Sequence, residues 1–216
     1  PKNITPRTAM AIGTAGFAAA LAIYKMGLNN QKPDLGPIAV TGATGGVGSI
    51  AIDMLSSLGY ETVAITSKKD NEEYLKNIGA TSVRFFDELD IGERPLERAS
   101  FGGAIDNLGG NMLSWLLRST VEEGSVASVG LALSYKLDTN VMPFILRGVN
   151  LLGVNSTTIP KATKETVWRK ISEEMMPRNI DSIVTKELTL RDLSGSFQQY
   201  LDASVVGRVI VNIDGS

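Results

Sequence analysis

The sequence predicts an α/β chain: a Rossmann-type doubly wound parallel sheet of about six strands in the order 3-2-1-4-5-6. Three observations carry this prediction. Apolar strand-like runs alternate with helical segments between Ile38 and Val154. The runs are continuous Val/Ile/Ala stretches, as in strands covered on both faces, and do not alternate polar with apolar. The turn after the first run is rich in glycine and opens directly into a helix.

The elements follow in order. Ala9 to Tyr24 is apolar apart from Thr14, and Lys2 and Arg7 precede it. A signal peptide has the same order of charge and apolar run, but the α/β pattern that follows favours a buried helix. The run also falls short of the ~20 residues of a membrane span. Thr5 is placed to cap this helix and Pro6 to begin it. Ile38 to Thr41 is the first strand and Gly46 to Leu58 the helix after it, stopped by Gly59. Thr62 to Thr66 is the second strand. Asp70 to Ile78 is a helix with Asp70 and Glu73 as a capping box, ended by Gly79. Thr81 to Phe85 is the third strand. The fourth starts at Ala104 and ends at Asp106, and Met112 to Ser119 is helical. Gly124 to Val129 and Val149 to Val154 are the fifth and sixth strands.

Beyond them, Lys164 to Met175 reads as an amphipathic helix. Ser182 to Leu190 and Arg208 to Ile213 read as strands around a helix at Leu193 to Leu201. These two strands come after the sixth and are expected in a different sheet. The division is therefore 1–180 for a nucleotide-binding domain with its leading helix, and 181–216 for a C-terminal segment.

Composition narrows the chemistry. With 21 basic and 23 acidic residues the net charge is −2, which lacks the basic surplus of a nucleic-acid or anionic-membrane partner. The chain has no Cys and no His. Disulfides, Cys/His zinc sites and His-based triads are thereby excluded within it, and no metal site is expected. No catalytic residue is assigned. The absence of Cys fits a reducing compartment, and a cytoplasmic location is the expectation.

The strongest signal for a ligand is Ala43-Thr44-Gly45-Gly46-Val47-Gly48. It has the spacing of a dinucleotide-binding fingerprint, with Ala43 at the first position in place of Gly. Gly45 lets the backbone approach a pyrophosphate, and Gly48 lets the helix pack close to the strand. The N–H groups of Gly46 and Val47 stand at the positive end of that helix. A bare strand-to-helix turn is the alternative. At the end of the second strand, an NAD site usually carries Asp or Glu for the ribose. Here Thr66-Ser67-Lys68-Lys69 offers two hydroxyls and two ammonium groups, which suit the 2′-phosphate of NADPH. The alternative is a solvated loop with Asp70 reaching the ribose of NAD. Asp106 to Gly110 and Gly130 to Ala132 follow the fourth and fifth strands, where they border a ligand or form plain turns.

Five segments occur in sequence: Ile12-Gly-Thr-Ala-Gly-Phe17, the glycine loop, Ala104-Ile-Asp106, Val141-Met-Pro-Phe-Ile-Leu-Arg147 and Gly207-Arg-Val-Ile-Val211. Together they resemble the zinc-free quinone oxidoreductase branch of the medium-chain dehydrogenase/reductase superfamily. The nearest subgroup is the one that holds bacterial acrylyl-CoA reductases. The resemblance implies NADPH-dependent hydride transfer to a quinone or to an activated enone such as acrylyl-CoA. It implies that Gly45, Gly46, Val47 and Gly48 hold the pyrophosphate and that Thr66, Ser67 and Lys68 hold the 2′-phosphate. Leu131 would lie by the nicotinamide, and Arg208 would make a further cofactor contact. Family members carry a small residue and an Arg near the 2′-phosphate, so Lys68 is a departure that replaces a bidentate fork with a point charge.

Zinc-dependent relatives place a ligand Cys in the segment that is Ile12 to Phe17 here. Family members begin with a GroES-like catalytic domain of roughly a hundred residues, a usual domain size. This chain reads as lacking it, and its two last strands as those that return to it, with edges exposed. Relatives imply a homodimer joined through the edge of the sheet. A non-catalytic NADP-binding module or sensor is the competing function. A short-chain dehydrogenase needs Lys four residues after a Tyr, and none of the five tyrosines has one.

Overall fold

A computed structural model describes residues 1–213. The first helix, α1 (Pro6–Leu28), is capped by Thr5, whose hydroxyl accepts the Thr8 N–H, with Pro6 in its first turn. Its 23 residues make it long and apolar enough to cross a membrane by length and composition, longer than the apolar run suggests. Most of its apolar residues from Ala11 to Met26 are instead buried in the core, where Phe17 stacks on Trp168 at 5.8 Å. The helix breaks at Gly13, which has φ +49°. Backbone of that hand favours a residue without Cβ.

The sheet follows from β1 (Ile38–Thr41), β2 (Thr62–Thr66), β3 (Ser82–Phe85), β4 (Phe101–Asp106), β5 (Thr120–Ser128) and β6 (Asn150–Gly153). All pairings are parallel and the order is β3-β2-β1-β4-β5-β6, as the sequence predicts. The central strands β1, β2 and β4 are buried along their length, whereas the edge strands β3 and β6 are only partly covered. Helices α2 (Gly46–Ser57) and α3 (Glu72–Asn77) follow β1 and β2, and α4 (Gly110–Ser119) follows β4. One face of the sheet packs on α1 and α2; the other packs on α4, where Trp115 meets Phe101 edge-on at 5.5 Å.

Several elements depart from the sequence reading. The capping box at Asp70 and Glu73 does not form: a 3-10 turn occupies Lys69–Asn71, and α3 starts after it with no side-chain cap. Strand β4 begins three residues early, at Phe101. Gly102 and Gly103, outside the strand in the sequence reading, are strand residues under close backbone: a Cβ on Gly102 would lie 2.5 Å from the Gly36 carbonyl oxygen. Strand β5 begins at Thr120, four residues early, with a register shift opposite Phe101 and Gly103. The segment Met142–Arg147 is a helix, α5, that periodicity over so few residues cannot show. Helix α6 (Lys161–Glu173) starts directly after Pro160.

The first residues expected in the seventh strand belong to a one-turn helix, α7 (Ile180–Ile183). Buried Asp53 on α2 accepts the Asn179 N–H at 2.8 Å and the Asn179 amide at 3.1 Å, which folds the chain down onto α2. The last strands, β7 (Val184–Thr189) and β8 (Arg208–Asn212), pair in parallel in a sheet of their own. Between them the expected helix is split into a 3-10 turn and the short α8 (Phe197–Leu201). Arg7 pairs with Asp181 at 2.7 Å and with Glu187, tying this unit to α1.

Candidate functional site

The carboxyl ends of β1, β2, β4 and β5 open into a cleft of about 510 Å³. That volume lies within the usual range of small-molecule sites. All nine residues singled out from the sequence line it: Gly45, Gly46, Val47 and Gly48 with Arg208 beside them, Thr66, Ser67 and Lys68 at the end of β2, and Leu131 after β5.

The glycine loop is built by close approach. A Cβ on Gly48 would lie 2.5 Å from the Gly42 carbonyl oxygen and 2.8 Å from Ala43 Cα, so α2 sits against the strand end with no room for a side chain. A Cβ on Gly46 would lie 2.9 Å from Arg208 Cδ. Gly45 caps α2 without a side chain, so the first N–H groups of the helix keep no side-chain acceptor. They are free to meet an anion. The left-handed turn falls at Gly42, φ +57°, one residue before the first fingerprint position. Ala43 still donates its N–H to the Ile65 carbonyl at 3.2 Å, continuing the ladder. Ala43 stands at the first fingerprint position, but the positive φ belongs to Gly42, which also lines the cleft.

Two cations face the cleft. The Lys68 ammonium donates to the Val205 carbonyl at 2.7 Å, and burial lowers its pKa from the ordinary lysine value. Arg208 donates from Nε to the Ala11 carbonyl at 2.9 Å and lies across the break at Gly13, where a Cβ would meet its guanidinium at 2.9 Å. Burial lowers its pKa too, but an arginine stays charged. The wall that carries both contacts is the 203–208 segment. It is pinned by the Gly207 N–H, which donates to the Thr44 carbonyl at 2.7 Å.

Lys69, the second lysine of the predicted pair, does not line the cleft. It forms ion pairs with Asp87 at 2.8 Å and Glu88 at 3.2 Å. Both expected bordering loops contribute: Asn107 and Leu108 from the first, Gly130, Leu131 and Ala132 from the second. Asp106 stands behind the first loop, fully buried. It accepts the Thr41 hydroxyl at 2.7 Å and the Gly109 N–H at 2.7 Å, and burial raises its pKa above the ordinary carboxylate value. The Thr41 hydroxyl in turn accepts the Asn107 N–H at 2.9 Å, which locks the end of β4 to the end of β1. Sequence reasoning missed Phe86, Tyr200 and Val205, which line the cleft from segments without a motif.

The glycine cradle, a helix N-terminus and two cations lining one cleft fit a nucleotide ligand that carries phosphate groups. Among the described residues no group of three His, Cys, Asp or Glu could hold a metal ion.

Known proteins resemble this chain in sequence and in fold. Residues 46–173 match the zinc-binding dehydrogenase family. The acrylyl-CoA reductase AcuI of Ruegeria pomeroyi is 40% identical over 215 residues, 99% of this chain and 65% of that protein. The crystal structure of Bacillus subtilis yhfP with NAD bound superposes with a TM-score of 0.95 at 39% identity, again over 99% of this chain and 65% of the other. The yhdH oxidoreductase of Salmonella enterica in complex with NADP gives 0.93 at 37% identity, with coverage of 99% and 65%. The chain thus spans slightly less than two thirds of the length of these relatives.

Proposed function

The chain belongs to the zinc-binding dehydrogenase family of medium-chain dehydrogenases/reductases, and on that premise we propose that its cleft binds NADPH for reduction of a quinone or an activated enone such as acrylyl-CoA. The observation that supports this most is the convergence of all nine sequence-selected residues on one cleft at the carboxyl ends of the strands. In a doubly wound sheet this is where ligands bind.

Bound NADPH supplies a hydride from its nicotinamide. This chain's own residues do the holding. Gly45, Gly46, Val47 and Gly48 bring backbone N–H groups to the pyrophosphate, and Arg208 adds a positive charge beside them. Thr66, Ser67 and Lys68 receive the 2′-phosphate. Leu131, which lines the cleft after β5, packs beside the nicotinamide. The NADP complex of the Salmonella relative and the lack of a carboxylate at the end of β2 favour NADPH, although the Bacillus relative was solved with NAD.

Titration of the chain with NADPH and NADH, followed by nicotinamide fluorescence, tests the reading. Tighter binding of NADPH is expected, with the difference abolished in Lys68→Ala. No binding of either would overturn it. Steady-state turnover with a quinone or acrylyl-CoA tests the activity; tight cofactor binding with no turnover favours a non-catalytic NADP-binding module. We also infer a homodimer through the β6 edge; Leu151 on β6 and Val141, Ile145 and Leu146 in and before α5 are exposed apolar side chains. Sedimentation equilibrium checks this, and a monomer at micromolar concentration would refute it.

A further inference from the structure

Lys68 and Lys69 are adjacent in sequence but are held by different kinds of partner. Lys68 donates to one neutral carbonyl on the wall of the cleft. Lys69 lies between two carboxylates, those of Asp87 and Glu88, and 5.5 Å from the centre of the Phe85 ring. Asp87 and Glu88 belong to the same 3-10 turn as Phe86, whose side chain lines the cleft. The clamp on Lys69 is therefore attached directly to the wall beside the end of β2.

The two lysines face unequal exchanges when a phosphate arrives. Lys68 gives up one uncharged acceptor. Lys69 would have to give up two anions to gain one phosphate, and while it stays clamped the trio has a net negative charge. A phosphate monoester carries about −1.5 to −2 at neutral pH, so that trio opposes it.

We propose that Asp87 and Glu88 determine cofactor specificity: they hold Lys69 away from the 2′-phosphate, leave Lys68 as the one lysine serving it, and keep the preference for NADPH over NADH small. This rests on the reading that the cleft takes a dinucleotide with its 2′-phosphate at the end of β2.

The test is calorimetric titration of the full chain with 2′,5′-ADP and with 5′-AMP. Both carboxylates are well exposed, with 63% and 61% of their side-chain surface accessible, so Asp87→Asn/Glu88→Gln leaves the core untouched. The double variant is expected to bind 2′,5′-ADP roughly two- to five-fold more tightly, the scale of an exposed ion pair, with 5′-AMP unchanged. Adding Lys69→Ala should reduce the gain, because the site then carries no charge in place of one free positive charge. A gain that survives Lys69→Ala undiminished, an equal gain for 5′-AMP, or no gain would each overturn the proposal. Failure of the wild-type chain to bind 2′,5′-ADP while it binds 5′-AMP would instead refute the 2′-phosphate reading on which the proposal stands.

Discussion

At Gly48 the helix and the strand end meet so closely that one methyl group decides whether they can touch. Gly48→Ala would place a Cβ 2.5 Å from a backbone oxygen that has no room to move. Overpacking of that kind costs about 1–3 kcal/mol, and urea denaturation should show a loss of that size together with weaker NADPH binding. The spacing of the loop makes Gly48 legible from sequence, because helix-to-strand contact is a fixed property of this fingerprint. It does not reveal Gly42, because a positive φ just before the motif leaves no mark beyond one more glycine. Lys69 shows the same limit in electrostatic terms. Its type and place suit a phosphate, but its partners lie on the turn after β3, and sequence adjacency to Lys68 cannot show who holds it.

At the scale of elements, helix α5 joins two parts of the fold through Arg147. Its guanidinium donates to the carbonyls of Arg118 at 2.8 Å, Thr120 at 3.1 Å and Glu97 at 2.7 Å. It therefore closes the C-terminal end of α4, where carbonyls lack intrahelical partners. Arg147→Lys keeps the charge but cannot span three acceptors from one planar fork. A loss of about 1–2 kcal/mol in thermal or urea unfolding is expected, the worth of one or two hydrogen bonds to a charged group. The six strands and their order are legible because each central strand is a continuous apolar run of the right length. Boundaries fail where tertiary contact overrides local pattern: glycines absorbed into β4, the bulge opposite the start of β5, and the chain drawn into α7 by Asp53. A short helix such as α5 carries too few turns to display a period.

Over the whole molecule, buried carboxylates set part of the response to pH. Asp106 and Asp53 both have pKa values raised by burial. The native state therefore holds their protons more tightly than the unfolded chain does. Stability from this source is complete below the unfolded carboxylate value of about 3.9 and is lost as pH rises through the higher native value. Asp106→Asn removes one such group. The stability of the wild type relative to this variant should increase as pH falls from 7 towards 4.5, as read by urea midpoints; a difference independent of pH would contradict the assignment. The cleft itself is assembled from distant parts of the chain. Arg208 meets Ala11 across a sequence separation of 197, and the wall it anchors closes over a loop near residue 45. Contacts of such long range form slowly, since the chain must pay the entropy of closing a large loop before they reward it. Refolding should then show two clocks: far-ultraviolet dichroism recovering first as strands and helices form, and nicotinamide fluorescence recovering later, when the last wall has closed. In that sense the cofactor would act as an inspector of the finished fold, recognising only those molecules in which the two far ends of the sequence have found each other.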